Sequence, residues 1–357
     1  MRHAMIMAGG SGTRLWPMSR AGTPKQLIGL FDGKSLLELA FERLDGVVDD
    51  ANRWICTGES YALSICDSLE QCSSAQLLGE PEGRDTLAAI GFTATVLHKL
   101  DPDAVFAVLT ADHIIQPQDE FARCINIGFD LVEADASRIV TFGITPTEPS
   151  TAYGYVELGD AIGDGAFACE RFVEKPDHET AAQYIASNKF AWNSGMFVFH
   201  AGSFVASMQR MHPESATKLA EIGEAWGTDK QQEVIKRVYP SFPKISVDYG
   251  MMEPASVDSA ISVCTVPMGV SWIDVGSWPS FGDTLDADAN GNKSNSTNVH
   301  LDSTNMLCAS DDPSHTITTI GCNDLVIVHT KNATLVCPRS EAQRVKDLHA
   351  KLDPTLR

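Results

Sequence analysis

No two cysteines in this 357-residue chain are spaced C-x-x-C, and the nine present are odd in number and scattered. Neither a disulfide framework nor a zinc site is expected, and a reducing cytoplasm is the compartment that fits. Also missing is any run approaching the ~20 apolar residues that cross a bilayer. The apolar stretch at 4–8, AMIMA, is too short for a signal-peptide core, so the expectation is a soluble protein with no membrane partner. Positive charge is scarce: 27 Lys and Arg stand against 47 Asp and Glu, a formal net charge of −20. That balance argues against nucleic-acid backbones and anionic membranes, both of which require a basic surface. Small anions remain open to it, because a local cluster overrides the global field at short range. An acidic chain also suits the holding of divalent cations.

The first 31 residues are where carboxylates are absent altogether: Arg14, Arg20 and Lys25 pass before Asp32 appears. Within them, residues 7–27 read MAGGSGTRLWPMSRAGTPKQL, with four glycines, two arginines and a lysine. Two familiar phosphate loops are excluded here. A P-loop requires Gly-Lys-Ser/Thr, but Gly12 is followed by Thr13 and Arg14; the dinucleotide fingerprint fits Gly10 and Gly12 and then meets Leu15 in place of its third glycine. What is left is a loop of small residues whose backbone N–H groups face an anion, with Arg14 and Lys25 to spread the charge of a polyphosphate. A tight turn with surface cations is the plain alternative.

Residues 3–8 read as a short buried strand entering that loop, and 35–45 as a helix with Ser35 as N-cap. Apolar runs at 54–58, 75–80, 104–112 and 138–144 alternate with helical segments at 86–100 and 119–134. The alternation predicts an α/β unit, a mostly parallel sheet covered by helices, with ligands at the carboxyl ends of the strands. From Asp286 a polar segment, DADANGNKSNSTN, reads as a linker, followed by strand-like runs at 315–320, 324–329 and 333–337. A closing amphipathic helix is expected at 340–352, capped by Ser340 and carrying Val345, Leu348 and Leu352 on one face. The expected domains are therefore 1–286 and 287–357.

Downstream residues supply further chemistry. Asp112, in TADHII, is expected at the end of a buried strand, pointing into the crevice or capping a turn. Asp274 lies in the apolar stretch SWIDVGSW, and a carboxylate in such surroundings usually has a partner or a metal. Two Asp from distant segments meeting at the loop would suit magnesium, which takes few carboxylates plus substrate phosphates. In RFVEKP, Glu174 and Lys175 suit a sugar phosphate, the carboxylate accepting from hydroxyls and the ammonium holding the phosphate; a solvated strand end fits them as well. Asn193, in WNSGMF, is compatible with polyol recognition or with a tight turn, and Gly154, in STAYGYV, with close backbone approach.

In this order the segments resemble the sugar-1-phosphate nucleotidyltransferases, and within them the mannose-1-phosphate guanylyltransferases. AGGSGTRLWPMSR, PKQL at 24–27, EPEGR at 80–84, ADHII at 111–115, FVEKPD at 172–177, WNSGMFVF at 192–199, VDYGMME at 247–253 and WIDVGSW at 272–278 carry the likeness. It spans roughly residues 4–285. The resemblance implies a Rossmann-like nucleotide-diphosphosugar transferase domain followed by a small β-helix-like domain that assists oligomerisation, a homodimer in the simplest case. It implies GTP and mannose 1-phosphate as substrates and Mg2+ as cofactor. Carried over by position, Ala8, Gly9, Gly10, Gly12, Thr13 and Arg14 hold the triphosphate, and Lys25 neutralises charge near the α-phosphate. Glu80, Gly83, Arg84, Asp85 and Thr86 border the guanosine. Asp112 and Asp274 bind the metal, Lys175 grips the sugar phosphate, and Gly154, Glu174 and Asn193 line the sugar. Three positions depart from the usual pattern: Asp85 replaces Asn, Leu87-Ala88 replaces Ala-Pro, and Ala152 replaces Gly. The first two are expected to border the base pocket and Ala152 the sugar loop. The resemblance therefore leaves open a guanylyltransferase for another hexose or heptose 1-phosphate, and a regulatory protein that binds a nucleotide sugar without turning it over.

Overall fold

A computed structural model describes residues 1–10, 12–69 and 71–357. Its centre is a nine-stranded sheet built from β1 (Arg2–Met7), β2 (Arg53–Gly58), β3 (Leu77–Glu80), β4 (Val105–Thr110), β6 (Arg138–Ile144), β7 (Tyr155–Gly163), β8 (Ala166–Val173), β9 (Phe190–His200) and β10 (Ser262–Met268). The order is β3-β2-β1-β4-β9-β6-β10-β8-β7. β1 to β4, β6 and β10 share one direction, while β9 and β8 run against them. A parallel sheet must be covered on both faces, and the strand sequences alternate accordingly. Met5, Phe106 and Val108 enter one buried cluster, and Ala4, Ile6, Ala107 and Leu109 enter another on the opposite face.

The first cluster is closed by α3 (Asp85–Leu100), α6 (Ala201–Met211), α7 (Pro213–Ala225) and α8 (Gln231–Val238), and the second by α1 (Leu36–Glu42) and α4 (Gln118–Ala134). Two further helices, α2 (Ala62–Ser68) and α5 (His178–Ser187), lie between strands. Ser35 caps α1 as expected: its hydroxyl accepts from the Glu38 N–H while the Glu38 carboxylate accepts from the Ser35 N–H. Such a reciprocal cap is worth about 1 kcal/mol.

Three expectations need correction. The 104–112 strand stops at Thr110, and Asp112 lies in the turn before a second short strand, β5 (His113–Gln116). Asn193 is inside the eleven-residue β9 and beside no turn; the glycine after it, Gly195, takes a positive φ where the pairing with β6 shifts register. A β-bulge produces that combination, because the extra residue must turn the chain without leaving the sheet. The single helix over 340–352 is instead a 3₁₀ segment, Arg339–Arg344, followed by one α turn, α11 (Val345–His349), and Ser340 caps neither. Val345 is buried, Leu352 is partly buried, and Leu348 is exposed.

Past β11 (Ser271–Asp274) and α10 (Trp278–Asp283) the chain becomes a stack of short strands. β12 (Lys293–Ser294), β14 (Leu307–Ser310) and β16 (Leu325–Thr330) pair in parallel, with β17 (Ala333–Pro338) antiparallel at the edge; β13 (Asn298–Leu301) pairs in parallel with β15 (Ile317–Ile320). The polar segment after Asp286 is the first turn of this stack rather than a free linker. Its Asn292 is buried, donates to Asp288 and Ser303, and accepts from the Met306 N–H. The stack does not stand apart from the sheet unit: Leu307, Ala309, Val326 and Val328 share an apolar cluster with Leu15, Trp16, Trp278 and Phe281. No helix among the described residues is long and apolar enough to cross a membrane.

Candidate active site

The loop after β1 turns over the carboxyl ends of the parallel strands. Gly9 and Gly10 line a crevice of about 520 Å³ with Gly58 at the end of β2, Glu80 at the end of β3, Gly83 and Lys236. A contiguous cavity of about 290 Å³ shares Gly9, Gly10, Glu80 and Gly83 and extends to Asp85, Thr86, Thr110 and Asp112. Ala8, fully buried, fixes the root of the loop: its carbonyl accepts from Gln26 at 2.6 Å and from Thr57 at 3.0 Å. Ser11 of this loop lies outside the described residues. Thr13 and Arg14 form a 3₁₀ turn with Leu15.

Lys25 follows Pro24 in a second 3₁₀ turn, and its aliphatic stem runs against Gly12. A Cβ at residue 12 would sit 2.4 Å from the Lys25 Cβ, and Gly12 holds a φ of 62°; both require glycine. The Lys25 ammonium reaches the Asp112 carboxylate at 2.5 Å, with the two side chains 11% and 26% exposed. Burial alone would raise the Asp112 carboxyl pKa, but the Lys25 ammonium and His113 outweigh it and hold the group below the usual carboxylate range.

Asp274 arrives beside Asp112 from far along the sequence because β11 pairs with β5. Asp274 stands opposite His113 in the antiparallel register, and the Val275 N–H donates to the Asp112 carbonyl at 2.9 Å. Asp112, His113 and Asp274 each offer a ligand atom, all within 4.8 Å of one another. His113 was not expected, although it is adjacent to Asp112 in ADHII. Only its Nδ1 is engaged, 2.5 Å from the Thr110 hydroxyl and 3.1 Å from the Trp272 indole nitrogen, while Nε2 faces Asp112 Oδ1 at 3.7 Å. Burial pushes its pKa down against the pull of Asp112 and Asp274. The two carboxylates give hard oxygen donors, Asp112 through the oxygen that Lys25 leaves open, and such a pair fits magnesium better than a softer ion.

Arg14 lies near Asp274, across Gly276. An added Cβ on Gly276 would be 3.1 Å from Arg14 Nη2 and 3.4 Å from Asp274 Oδ1, and Arg14 Nη1 donates to the Gln343 carboxamide oxygen at 3.0 Å.

The Asp85 segment explains one departure and corrects another. Asp85 holds a left-handed φ of 64°, a conformation that Asn and Asp tolerate where other side chains do not, and its carboxylate accepts from the Thr86 N–H at 2.8 Å. Thr86 in turn accepts from the Val247 N–H at 2.8 Å. Leu87, however, lines neither cavity: it is buried, and a Cβ on Gly250 would lie 2.5 Å from its Cδ2. Ala88 is likewise in the core behind the crevice. Helical periodicity carries residues 87 and 88 away from the face that 85 and 86 present. Arg84 pairs with Glu82 at 3.0 Å. Glu80 accepts from the Tyr239 hydroxyl at 2.7 Å, and burial raises its pKa against that bond and the backbone hydrogen bond from Arg84.

A second group gathers where the start of β7, the end of β8 and the first residues of β9 meet. Gly154 packs so closely that an added Cβ would meet Glu174 Oε2 at 2.4 Å and the Asn193 Cβ at 3.3 Å. Lys175, left-handed at φ 46°, turns back so that its ammonium contacts Glu174 Oε1 at 2.8 Å. Asn193 is held on both sides of its amide, accepting from the Thr141 hydroxyl at 3.0 Å and donating to Asp248 Oδ1 at 2.9 Å. Glu253, the first residue of α9 (Glu253–Ser256), accepts from the Glu174 N–H at 2.9 Å. Asp248 begins a π-helical turn, Asp248–Met252, and burial together with Glu174 raises its carboxyl to about 6. Neither Asp248 nor Glu253 was expected as a site residue; both lie in VDYGMME, where nothing in the local pattern singles them out. Ala152 is exposed and has no positive φ, so no conformation at that position requires glycine. Between the two groups Tyr153 lies 4.9 Å from the Trp272 ring and 5.1 Å from Trp192, centroid to centroid.

A glycine loop at the strand ends, a buried lysine paired to a partly buried aspartate and a second aspartate from a distant strand define a protein that handles nucleoside polyphosphates. The chain belongs to the nucleotidyl transferase family, whose model matches residues 3–291; the MannoseP isomerase/GMP-like beta-helix domain matches 296–352. It is similar to a mannose-1-phosphate guanylyltransferase of Escherichia coli, 35% identical over 96% of this chain and 72% of the relative. The xanthan biosynthesis protein XanB of Xanthomonas campestris is 35% identical over the same shares. A crystal structure from Thermus thermophilus, described as a mannose-1-phosphate geranyltransferase, superposes with a TM-score of 0.86 at 29% identity, covering 98% of both chains.

Proposed function

We propose that this chain transfers GMP from GTP to mannose 1-phosphate, releasing pyrophosphate and forming GDP-mannose, with Mg2+ as cofactor. The observation that carries the reading is the crevice that runs from Gly9 and Gly10 to Asp112, where Lys25 pairs with that carboxylate and Asp274 lies close enough to share a metal with it. The names of the relatives supply the base and the sugar. In-line displacement brings two anionic phosphates together, and the nucleophile, a phosphate oxygen, is already ionised; positioning and charge neutralisation are the main tasks.

In this reading Gly9, Gly10, Gly12 and Thr13 receive the triphosphate on backbone N–H groups, and Arg14 and Lys25 neutralise it. Glu80, Gly83, Arg84, Asp85 and Thr86 border the base. Gly154, Glu174 and Asn193 line the sugar, and Lys175 exchanges its bond to Glu174 for the sugar phosphate. Asp112 and Asp274 hold the metal, which when bound supplies positive charge to the phosphate oxygens. The Lys25–Asp112 pair then serves two ends: it keeps Asp112 ionised for the metal and keeps Lys25 aimed into the crevice.

A catalytic unit over 1–286 and a β-stack over 287–357, working in the cytoplasm, belong to the same reading. So does a homodimer through the stack, supported by the exposed Val299, Leu301 and Ile320 on the paired β13 and β15. A matrix of nucleoside triphosphates against sugar 1-phosphates, scored for pyrophosphate, tests the assignment. GTP with mannose 1-phosphate should give the highest kcat/KM; a higher value with another hexose or heptose 1-phosphate would replace the sugar, and binding without turnover in every cell of the matrix would make the protein a sensor.

A further inference from the structure

Lys25 and Arg14, the two cations assigned to the triphosphate, are held in opposite ways. Lys25 is paired with a carboxylate at 2.5 Å. Arg14 has no ion pair among the described residues; its one side-chain hydrogen bond runs from Nη1 to the neutral Gln343 carboxamide at 3.0 Å. Yet an acidic partner is at hand, because Arg14 Nη2 and Asp274 Oδ1 both lie within 3.4 Å of the point a Gly276 Cβ would occupy. A guanidinium left to itself beside that carboxylate gains from closing on it, and a closed pair would neutralise the arginine and occupy a metal ligand. Gln343 opposes this. It offers an acceptor on the other side, directs the fork of N–H groups, and leaves the charge intact.

Gln343 is not part of the sheet unit. It stands in the 3₁₀ segment Arg339–Arg344 after the β-stack, and four more hydrogen bonds tie residues of the same region to the exit of the glycine loop. The Trp16 indole N–H donates to the Leu356 carbonyl at 2.8 Å, Arg20 donates to that carbonyl and to Asn332 Oδ1, and the Ala21 N–H donates to the Arg357 carbonyl at 3.1 Å. The register between the stack and the loop is therefore fixed within a few residues of Arg14.

We propose that Gln343, carried by the β-stack, is a positioning residue for nucleotidyl transfer: its carboxamide holds the Arg14 guanidinium clear of Asp274 with its charge uncompensated, ready for the triphosphate. The stack thereby completes the nucleotide site. The proposal rests on the reading of Arg14 as a triphosphate ligand, and the test separates the two. GTP dissociation constants and steady-state kinetics are measured for the wild type, Gln343→Ala, Gln343→Glu, Arg14→Ala and the Arg14→Ala/Gln343→Ala double variant, with unfolding midpoints alongside. Gln343 is exposed, so its variants should fold with an unchanged midpoint. Gln343→Ala should weaken GTP binding roughly tenfold, the worth of one hydrogen bond to a charged group, with the KM for mannose 1-phosphate unchanged. Gln343→Glu should be at least as weak, since its carboxylate neutralises Arg14. The Gln343→Ala loss should vanish when Arg14 is already alanine. Wild-type GTP affinity in Gln343→Ala, or the same loss persisting in the Arg14→Ala background, would overturn the proposal while leaving Arg14 in its role. Wild-type affinity in Arg14→Ala would instead remove the reading beneath it, and the proposal with it.

Discussion

Under the proposed function the two halves of the cleft receive phosphate by different means. The proposed nucleotide side gathers a glycine loop and cations, and a carboxylate, Asp112, is held ionised by a buried lysine. On the sugar side, three carboxylates, Glu174, Asp248 and Glu253, crowd around one amide and one half-exposed lysine, and one of them is pushed towards its protonated form. The contrast follows the ligands. A triphosphate offers only acceptors and negative charge, whereas a sugar ring offers hydroxyl donors that carboxylates and an oriented amide can match.

The comparison breaks most sharply at Asp112. Asp112→Ala should lower turnover by at least a hundredfold in a pyrophosphate-release assay, and it should also destabilise the fold by about 3 kcal/mol in urea unfolding, because Lys25 is left buried and unpaired. Full activity in that variant would remove the nucleotide half of the argument.

Two glycines sharpen it next. Gly12→Ala should displace Lys25 and lower kcat/KM for GTP by roughly tenfold or more, with the KM for mannose 1-phosphate little changed. Gly154→Ala should do the reverse, pushing on Glu174 and Asn193 and raising the sugar-phosphate KM by a similar factor while GTP binding stays intact. Each variant altering both substrates equally would mean that the halves are not separable.

A smaller effect is expected at Asp248. Its carboxyl is raised in the folded chain, from the ordinary 3.8 to about 6, by burial and by Glu174, so the protonated form is favoured there. The stability this group contributes is present below about pH 4 and is lost as the pH rises through 6. Asp248→Asn, which keeps an acceptor for Asn193, should therefore be more stable than the wild type at pH 7 to 8 by up to about 3 kcal/mol, with the difference gone near pH 4. Unfolding midpoints across that range check the sign. Least of all should follow from Ala152→Gly: the residue is exposed and its backbone ordinary, so the sugar-phosphate KM should move less than twofold.

Much of this was legible in advance, for local reasons. Ser35 and Glu38 are three residues apart, as a capping box demands, and the alternation of apolar runs announced a covered sheet. The glycine loop was legible because four glycines, two arginines and a lysine fall within residues 7–27 with no carboxylate among them. Less legible were features set by pairing partners. The antiparallel β7, β8 and β9 carry no signal that separates them from a parallel strand, and WNSGMF reads as a turn until β6 is laid beside it. Leu87 seemed to border the base pocket because it neighbours Asp85 in sequence; the helix turns it to Gly250 instead.

The sequence by itself determined the phosphate loop, the cations, the acidic balance and the kind of sheet that would hold them. These depend on residue type and short spacing, which a single stretch of chain contains. Only the tertiary structure decided that Asp274 meets Asp112, that Asp248 and Glu253 back Asn193 and Glu174, and that Gln343 reaches Arg14 from the β-stack. Such meetings are set by strand register and by the shared apolar cluster between sheet and stack, and neither leaves a mark on the residues that it brings together.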